Sequence, residues 1–242
     1  MFHDYLVEQS GKPCKSKRHI EDAPMTIATG FIYDGGLLLC ADTQYTGHIK
    51  LLGTKIFPYE YGDGSKSAFV GAGHMMYTRM CVQLLQYSIE DIPSDERTVS
   101  KIHSALVERM SSLHHAHICQ HPRGADIVVQ FLIEIWSAKD KKLAFFSTEE
   151  TAVVRMYGYG VLGSSESFAQ RIIRPRYKRV SHILEKPKHT ESQVRDIAIA
   201  ALKEAKKYDA YCGGDDECLI LKDDGQMSAV GRLVPLQQRK TK

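Results

Sequence analysis

From Thr26 onward the chain alternates between stretches of strand period and stretches of helix period. The run TIATGFIY, starting at Thr26, is β-branched and aromatic and predicts a strand. Asp34-Gly35-Gly36 supplies a tight turn with glycine where positive φ is wanted. LLLCADTQ follows as its hairpin partner, and the unbroken apolar run Leu37 to Ala41 predicts a strand covered on both faces. Shorter strands are expected at Lys55 to Tyr59 and Ser67 to Ala72. Residues 74–90 and 97–118 read as helices. In the second, Ile102, Leu106, Met110 and Leu113 recur every three or four positions, and Pro93 breaks the chain between the two. After Pro122, ADIVVQFLIEIW reads as a long strand and LAFFS as its neighbour across the charged turn Lys139 to Lys142; VVRMYGYG reads as one further strand. Two more helices are expected at 164–180 and 190–207, the latter capped by Thr190 ahead of Val194, Ile197, Ala198 and Ala201. ECLILKDDGQMSAV closes the pattern as a hairpin turning at Asp224-Gly225.

Strands, two helices, strands, two helices, strands is the order of an α+β protein. Its simplest packing is two antiparallel sheets face to face, with a helical layer outside each: a four-layer αββα sandwich. Residues 1–25 are polar, contain Gly11, Pro13 and Pro24, and have neither period, so they are expected to be a disordered leader, a propeptide or residues before the true start. Residues 26–232 are expected to be one domain, and 233–242 a polar tail. No solenoid-length repeat appears.

Composition narrows the function. A net charge of +3 with a pI near 8.4 is too mild for a nucleic-acid protein, and 43% hydrophobic content suits a continuous core. No apolar run reaches the ~18 residues of a membrane span, and the first residues lack a signal-peptide core. The six cysteines (Cys14, Cys40, Cys81, Cys119, Cys212, Cys218) form no Cys-x-x-Cys pair. They read as reduced thiols, and so as a sign of a cytoplasmic protein.

Four segments, in order, resemble the proteasome β-subunit family and its simpler bacterial two-ring relatives. They are TIATGFIYDGGLLLCADTQ, the strand-to-helix step AFVGAGH, the loop VLGSSES, and DAYCGGDDECLILKDDG, which is close to the family's Asp-Ala-Tyr-Ser-Gly-Gly stretch. The likeness runs from Thr26 to about Val230. It implies the same αββα sandwich, an N-terminal-nucleophile hydrolase, and a ring that cleaves peptide bonds inside a closed chamber. It also implies roles. Thr26 would be the nucleophile, unmasked by removal of everything before it, with its own α-amine as base, because a hydroxyl is a poor nucleophile until a base takes its proton. That amine is mostly protonated at neutral pH unless a neighbouring cation lowers its pKa. Lys55, held charged by Asp42, would supply the cation. Ser164, Asp209 and Cys212 would orient the amine and relay its proton, and the N–H of Ala68 would stabilise the oxyanion.

Three departures from the family pattern stand out: Ala68 replaces a glycine, Cys212 a serine, and Met25 the glycine that usually precedes the nucleophile. Met25-Thr26 suggests translation from Met25 with methionine removal, or cutting of the leader by another route.

Plainer readings compete at each position. Thr26 could be an ordinary strand residue, Asp42 and Lys55 a surface ion pair, Ser164 a helix N-cap, and Asp209 with Cys212 a helix C-terminal turn into Gly213-Gly214. His117 and His121 have a helical metal spacing, but Pro122 ends the helix and no second ligand cluster follows, so no metal and no cofactor are expected. The basic run Arg171 to Arg179 reads as a solvated face. Three functions follow: a threonine endopeptidase in a homo- or hetero-oligomeric ring, acting on protein or peptide substrates and fed by an ATP-dependent unfoldase; a silent ring subunit of the same fold; or a small-molecule amidase of the N-terminal-nucleophile class. Nucleic acid and membrane are not expected as partners.

Overall fold

A computed structural model describes residues 26–46, 50–119, 128–178 and 188–230. The leader, the tail and His121 lie outside the described residues.

The first sheet is built around the predicted hairpin, β1 (Ala28–Tyr33) and β2 (Gly36–Asp42), turning at Gly35 with φ +101°. Every residue of β2 is buried, as its unbroken apolar run requires. The second sheet contains β5 (Ile56–Glu60), β6 (Lys66–Gly73), β7 (Val129–Ser137), β8 (Lys142–Glu149) and β9 (Ala152–Arg155), paired in chain order. The chain then returns to the first sheet as β10 (Tyr159–Leu162), and later as β11 (Asp216–Lys222) and β12 (Met227–Val230), giving the order β10-β1-β2-β11-β12. All pairings are antiparallel.

The two sheets enclose a core of Ala28, Leu37, Leu39, Ile56, Val70 and Phe145. Gly30 permits the close approach, since a Cβ there would lie 2.5 Å from the Phe145 ring. Helices α1 (Met75–Glu90) and α2 (Val99–Leu113) cover the outer face of the second sheet through Leu85, Ile102 and Leu106. Helices α3 (Glu166–Arg176) and α4 (Glu191–Tyr208) cover the first through Ile173, Val194 and Ala201. Thr190 caps α4 in a full capping box with Gln193. The architecture is the four-layer αββα sandwich.

Several expectations are corrected. VVRMYGYG is not one strand: it splits into β9 and β10, and Met156–Gly158 carries the chain from the edge of one sheet to the edge of the other. α2 ends at Leu113 and continues as a π-helical turn, His114–Cys119. α3 starts at Glu166, with Ser165 rather than Ser164 at its N-cap position. A small hairpin, β3 (Gln44–Thr46) with β4 (Lys50–Leu52), was not anticipated. The cysteines are not all free. Cys40 of β2 and Cys218 of β11 are directly opposite in register and form a disulfide, while Cys81, Cys119 and Cys212 remain thiols. With its halves 178 positions apart in sequence, this pair has no local signature, and its presence removes the thiol-based argument for a reducing compartment.

Candidate functional site

Three chain segments meet at one end of the sandwich. Thr26 lies just ahead of β1, Asp42 ends β2, and Lys55 lies just ahead of β5. The β1–β2 register pairs Ala28 with Ala41, so Thr26 and Asp42 lie side by side, and the sheet stacking brings Lys55 over them. Thr26 Oγ1 donates to Asp42 Oδ1 at 3.0 Å and accepts from Lys55 Nζ. Lys55 Nζ also donates to Asp42 Oδ1 at 2.6 Å. Asp42 is fixed further by the backbone N–H of Ile27 at 3.2 Å and of Gly213 at 2.9 Å. Relative exposure is 3% for Thr26, 0% for Asp42 and 1% for Lys55, which excludes the surface-pair reading of these residues. Burial lowers the pKa of Lys55, and Asp42 opposes that shift. A buried pair of this kind needs its remaining polar atoms satisfied, as Asp42's are.

A second cluster sits against the first. Ser164 Oγ donates to Asp209 Oδ2 at 2.7 Å, and Ser165 Oγ donates to the same oxygen. Ser165 Oγ also meets Cys212 Sγ at 3.1 Å, and the N–H of Tyr211 donates to Asp209 Oδ1 at 2.8 Å. Burial works against ionisation of Asp209, but these hydrogen bonds outweigh it and hold its pKa below the usual value. Burial pushes the Cys212 thiol up to about 12, so it is a neutral thiol rather than a thiolate. Asp209 is also the C-cap of α4, so its structural and polar roles coincide. The two clusters are joined at Gly213, through Asp42, and at Gly163. The latter has φ +107°, and a Cβ there would lie 1.9 Å from the carbonyl oxygen of Thr26, so only glycine allows this loop to pack on Thr26.

Ala68 is not brought to this site. It lies mid-β6, opposite Pro58 and Glu134, fully buried between the sheets. Ile56 pairs with Val70, so Gly71 is the β6 residue level with Lys55, and Ala68 lies three positions farther along, roughly 10 Å at ~3.3 Å per residue.

The structure adds residues that the sequence did not point to. Glu217 on β11 is fully buried, and its Oε1 accepts from the N–H of Lys55 and, at 3.1 Å, of Ile56. Burial raises its pKa, against the pull of the Lys55 N–H. The Tyr45 ring lies 5.1 Å from Lys55 Nζ and its hydroxyl donates to Thr54 O at 2.7 Å, fixing the approach to Lys55. An acid at the head of the apolar run CLIL was the available signal for Glu217; nothing local distinguished Ser165 from Ser164. Among the described residues no group of three His, Cys, Asp or Glu side chains could hold a metal.

The sequence profile described as "Proteasome subunit" matches residues 25–221. No curated protein sequence matches the chain. Among solved structures, Anbu (ancestral beta-subunit) from Yersinia bercovieri is similar with a TM-score of 0.67 at 15% identity, over 84% of this chain and 86% of that one. A helical assembly of the Anbu complex from Pseudomonas aeruginosa gives 0.67 at 14% identity, over 85% and 86%. An Anbu mutant from Hyphomicrobium sp. strain MC1 gives 0.66 at 11% identity, over 84% of each chain. At these identities the structural likeness speaks for the fold, while the profile covers most of the sequence and begins one residue before the threonine on which Lys55 and Asp42 converge: the chain belongs to the proteasome subunit family.

Proposed function

We propose that this subunit is a threonine-type endopeptidase that cleaves protein or peptide substrates with Thr26, once the residues before it are removed. The observation that carries the proposal is the buried contact of Thr26 Oγ1 with Lys55 Nζ and Asp42. A positive charge beside the hydroxyl and the freed α-amine favours the neutral amine, which can then act as base, and stabilises the alkoxide as the proton leaves. Ser164, Ser165, Asp209 and Cys212 form the polar wall that would hold the amine and return the proton to the leaving group.

The oxyanion donor is assigned to Gly71–Gly73 rather than to Ala68. β5 begins at Ile56, opposite Val70, so beyond that point β6 is paired only with β7 and its other edge runs past Lys55 with main-chain groups available. Ala68 then has no part in the chemistry and does not stand in place of the oxyanion glycine, so the alanine there is no argument for a silent subunit. Oligomerisation into a closed or helical homo- or hetero-assembly, supply by an ATP-dependent unfoldase and a cytoplasmic location belong to the same reading.

The test is covalent. A peptide epoxyketone or β-lactone should label chains whose first residue is Thr26, with the adduct mapped to that residue by peptide mass spectrometry. A purified particle that starts at Thr26 and takes no label would leave the silent ring subunit as the better reading.

A further inference from the structure

Apart from Ser164, the lining of the cavity beside the site is not used by the chemistry above. It opens at Gly163 and Ser164, where the loop packs on Thr26, and runs along the exposed face of α3 past Glu166 and Gln170 to Arg171 and Arg174. Its volume is about 670 Å³, within the range of ligand clefts. α3 has 11 residues, about 16 Å at ~1.5 Å per residue, which is room for roughly four or five residues of extended peptide.

The charge of this groove is arranged. Arg174 Nε donates to Gln170 Oε1 at 3.1 Å, and the same oxygen accepts from Tyr159 OH at 2.7 Å. Gln170 Nε2 donates in turn to Glu166 Oε1 at 3.4 Å, so the only acid of the lining is engaged with an amide. Arg171 lies over the Phe168 ring at 5.4 Å, and Phe168 stacks on Tyr208. Both guanidinium groups are thus oriented by an amide and a ring, and neither forms an ion pair with a carboxylate among the described residues. Oriented, un-neutralised guanidinium groups match carboxylates in charge and in fork geometry.

We infer that the α3 groove is a substrate subsite that receives acidic residues of a bound peptide flanking the bond presented to Thr26. This rests on the peptidase reading for what the bound peptide is, but its test does not depend on turnover. Fluorescein-labelled decapeptides that differ only in carrying Glu, Gln or Lys at two adjacent positions are titrated by anisotropy against the assembled protein, both unaltered and as Thr26→Ala. The Glu peptide should bind about 10-fold more tightly than the Gln peptide, the Lys peptide more weakly still, and added salt should narrow the gap. The Glu preference should vanish in Arg171→Gln/Arg174→Gln, whose exposed positions leave the core intact. Equal affinity for Glu and Gln peptides, or a preference that survives the double substitution, overturns the inference. Hydrolysis of the same peptides by chains whose first residue is Thr26 is scored separately: cleavage without acid preference sinks the subsite alone, and acid-selective binding without cleavage sinks the peptidase reading alone.

Discussion

At the scale of single residues, the site is a problem of keeping charges where water cannot reach them. Lys55 is buried, and burial lowers its pKa; Asp42 and, more weakly, Glu217 push the other way. Glu217→Gln keeps an acceptor for the Lys55 and Ile56 N–H groups but deletes the negative charge. Lys55 should then lose its proton at lower pH, and the limb of the kcat/KM profile that reports Lys55 should move to lower pH, with Glu217→Asp restoring part of the shift. An unmoved profile would confine Glu217 to a structural role. Glu134 poses the opposite problem. It is fully buried between the sheets, both of its carboxyl oxygens lack a hydrogen-bond partner, and burial raises its pKa well above the usual value. The folded state therefore keeps a proton that the unfolded chain gives up near pH ~4.3. The stability linked to that proton is complete below the unfolded value and declines as pH rises toward the folded one. Glu134→Gln should flatten this decline, as read from urea unfolding midpoints at pH 5, 6, 7 and 8; parallel curves for the two proteins would exclude Glu134 as its source.

At the scale of elements, positions just outside strands do the assembling. Thr26, Asp42 and Lys55 sit at the ends of, or one or two residues before, β1, β2 and β5, so the registers of two sheets decide whether they meet. The loop before α3 is the other partner. At Gly163 a side chain would face both an unfavourable φ, costing ~1–3 kcal/mol, and the Thr26 carbonyl at 1.9 Å. Gly163→Ala should therefore lower hydrolysis by about 100-fold through displacement of Thr26 while the far-UV circular dichroism is retained. Activity within a few-fold of the parent would show that the loop can yield without moving Thr26.

At the scale of the whole molecule, distant parts of the chain are tied by Cys40–Cys218, which joins β2 to β11 within the sheet that carries Asp42 and Glu217. Because the bond joins residues 178 positions apart in sequence, reduction should lower stability by ~2–5 kcal/mol, chiefly by freeing the unfolded chain. Thermal unfolding with and without a phosphine reductant checks this, alongside thiol counting before and after denaturation. A melting temperature indifferent to reduction, in protein shown by mass to carry the bond, would remove the stabilising role.

The sequence alone determined the elements and the layer plan, because both rest on local periodicity. Alternation and apolar runs marked the strands of both sheets, 3.6-residue spacing marked the four helices, Gly35 and Gly225 marked turns, and Thr190 a cap. It also pointed to Thr26, Asp42 and Lys55, because their surroundings resemble a known family. What depends on long-range pairing was decided only by the tertiary structure. The division of VVRMYGYG between two sheets, the opposition of Cys40 and Cys218, the exclusion of Ala68 from the site and the presence of Glu217 beneath Lys55 all follow from register. Register is an agreement between distant segments: a shift of one residue along β6 or β11 would turn every side chain to the other face while leaving each segment's own pattern almost unchanged.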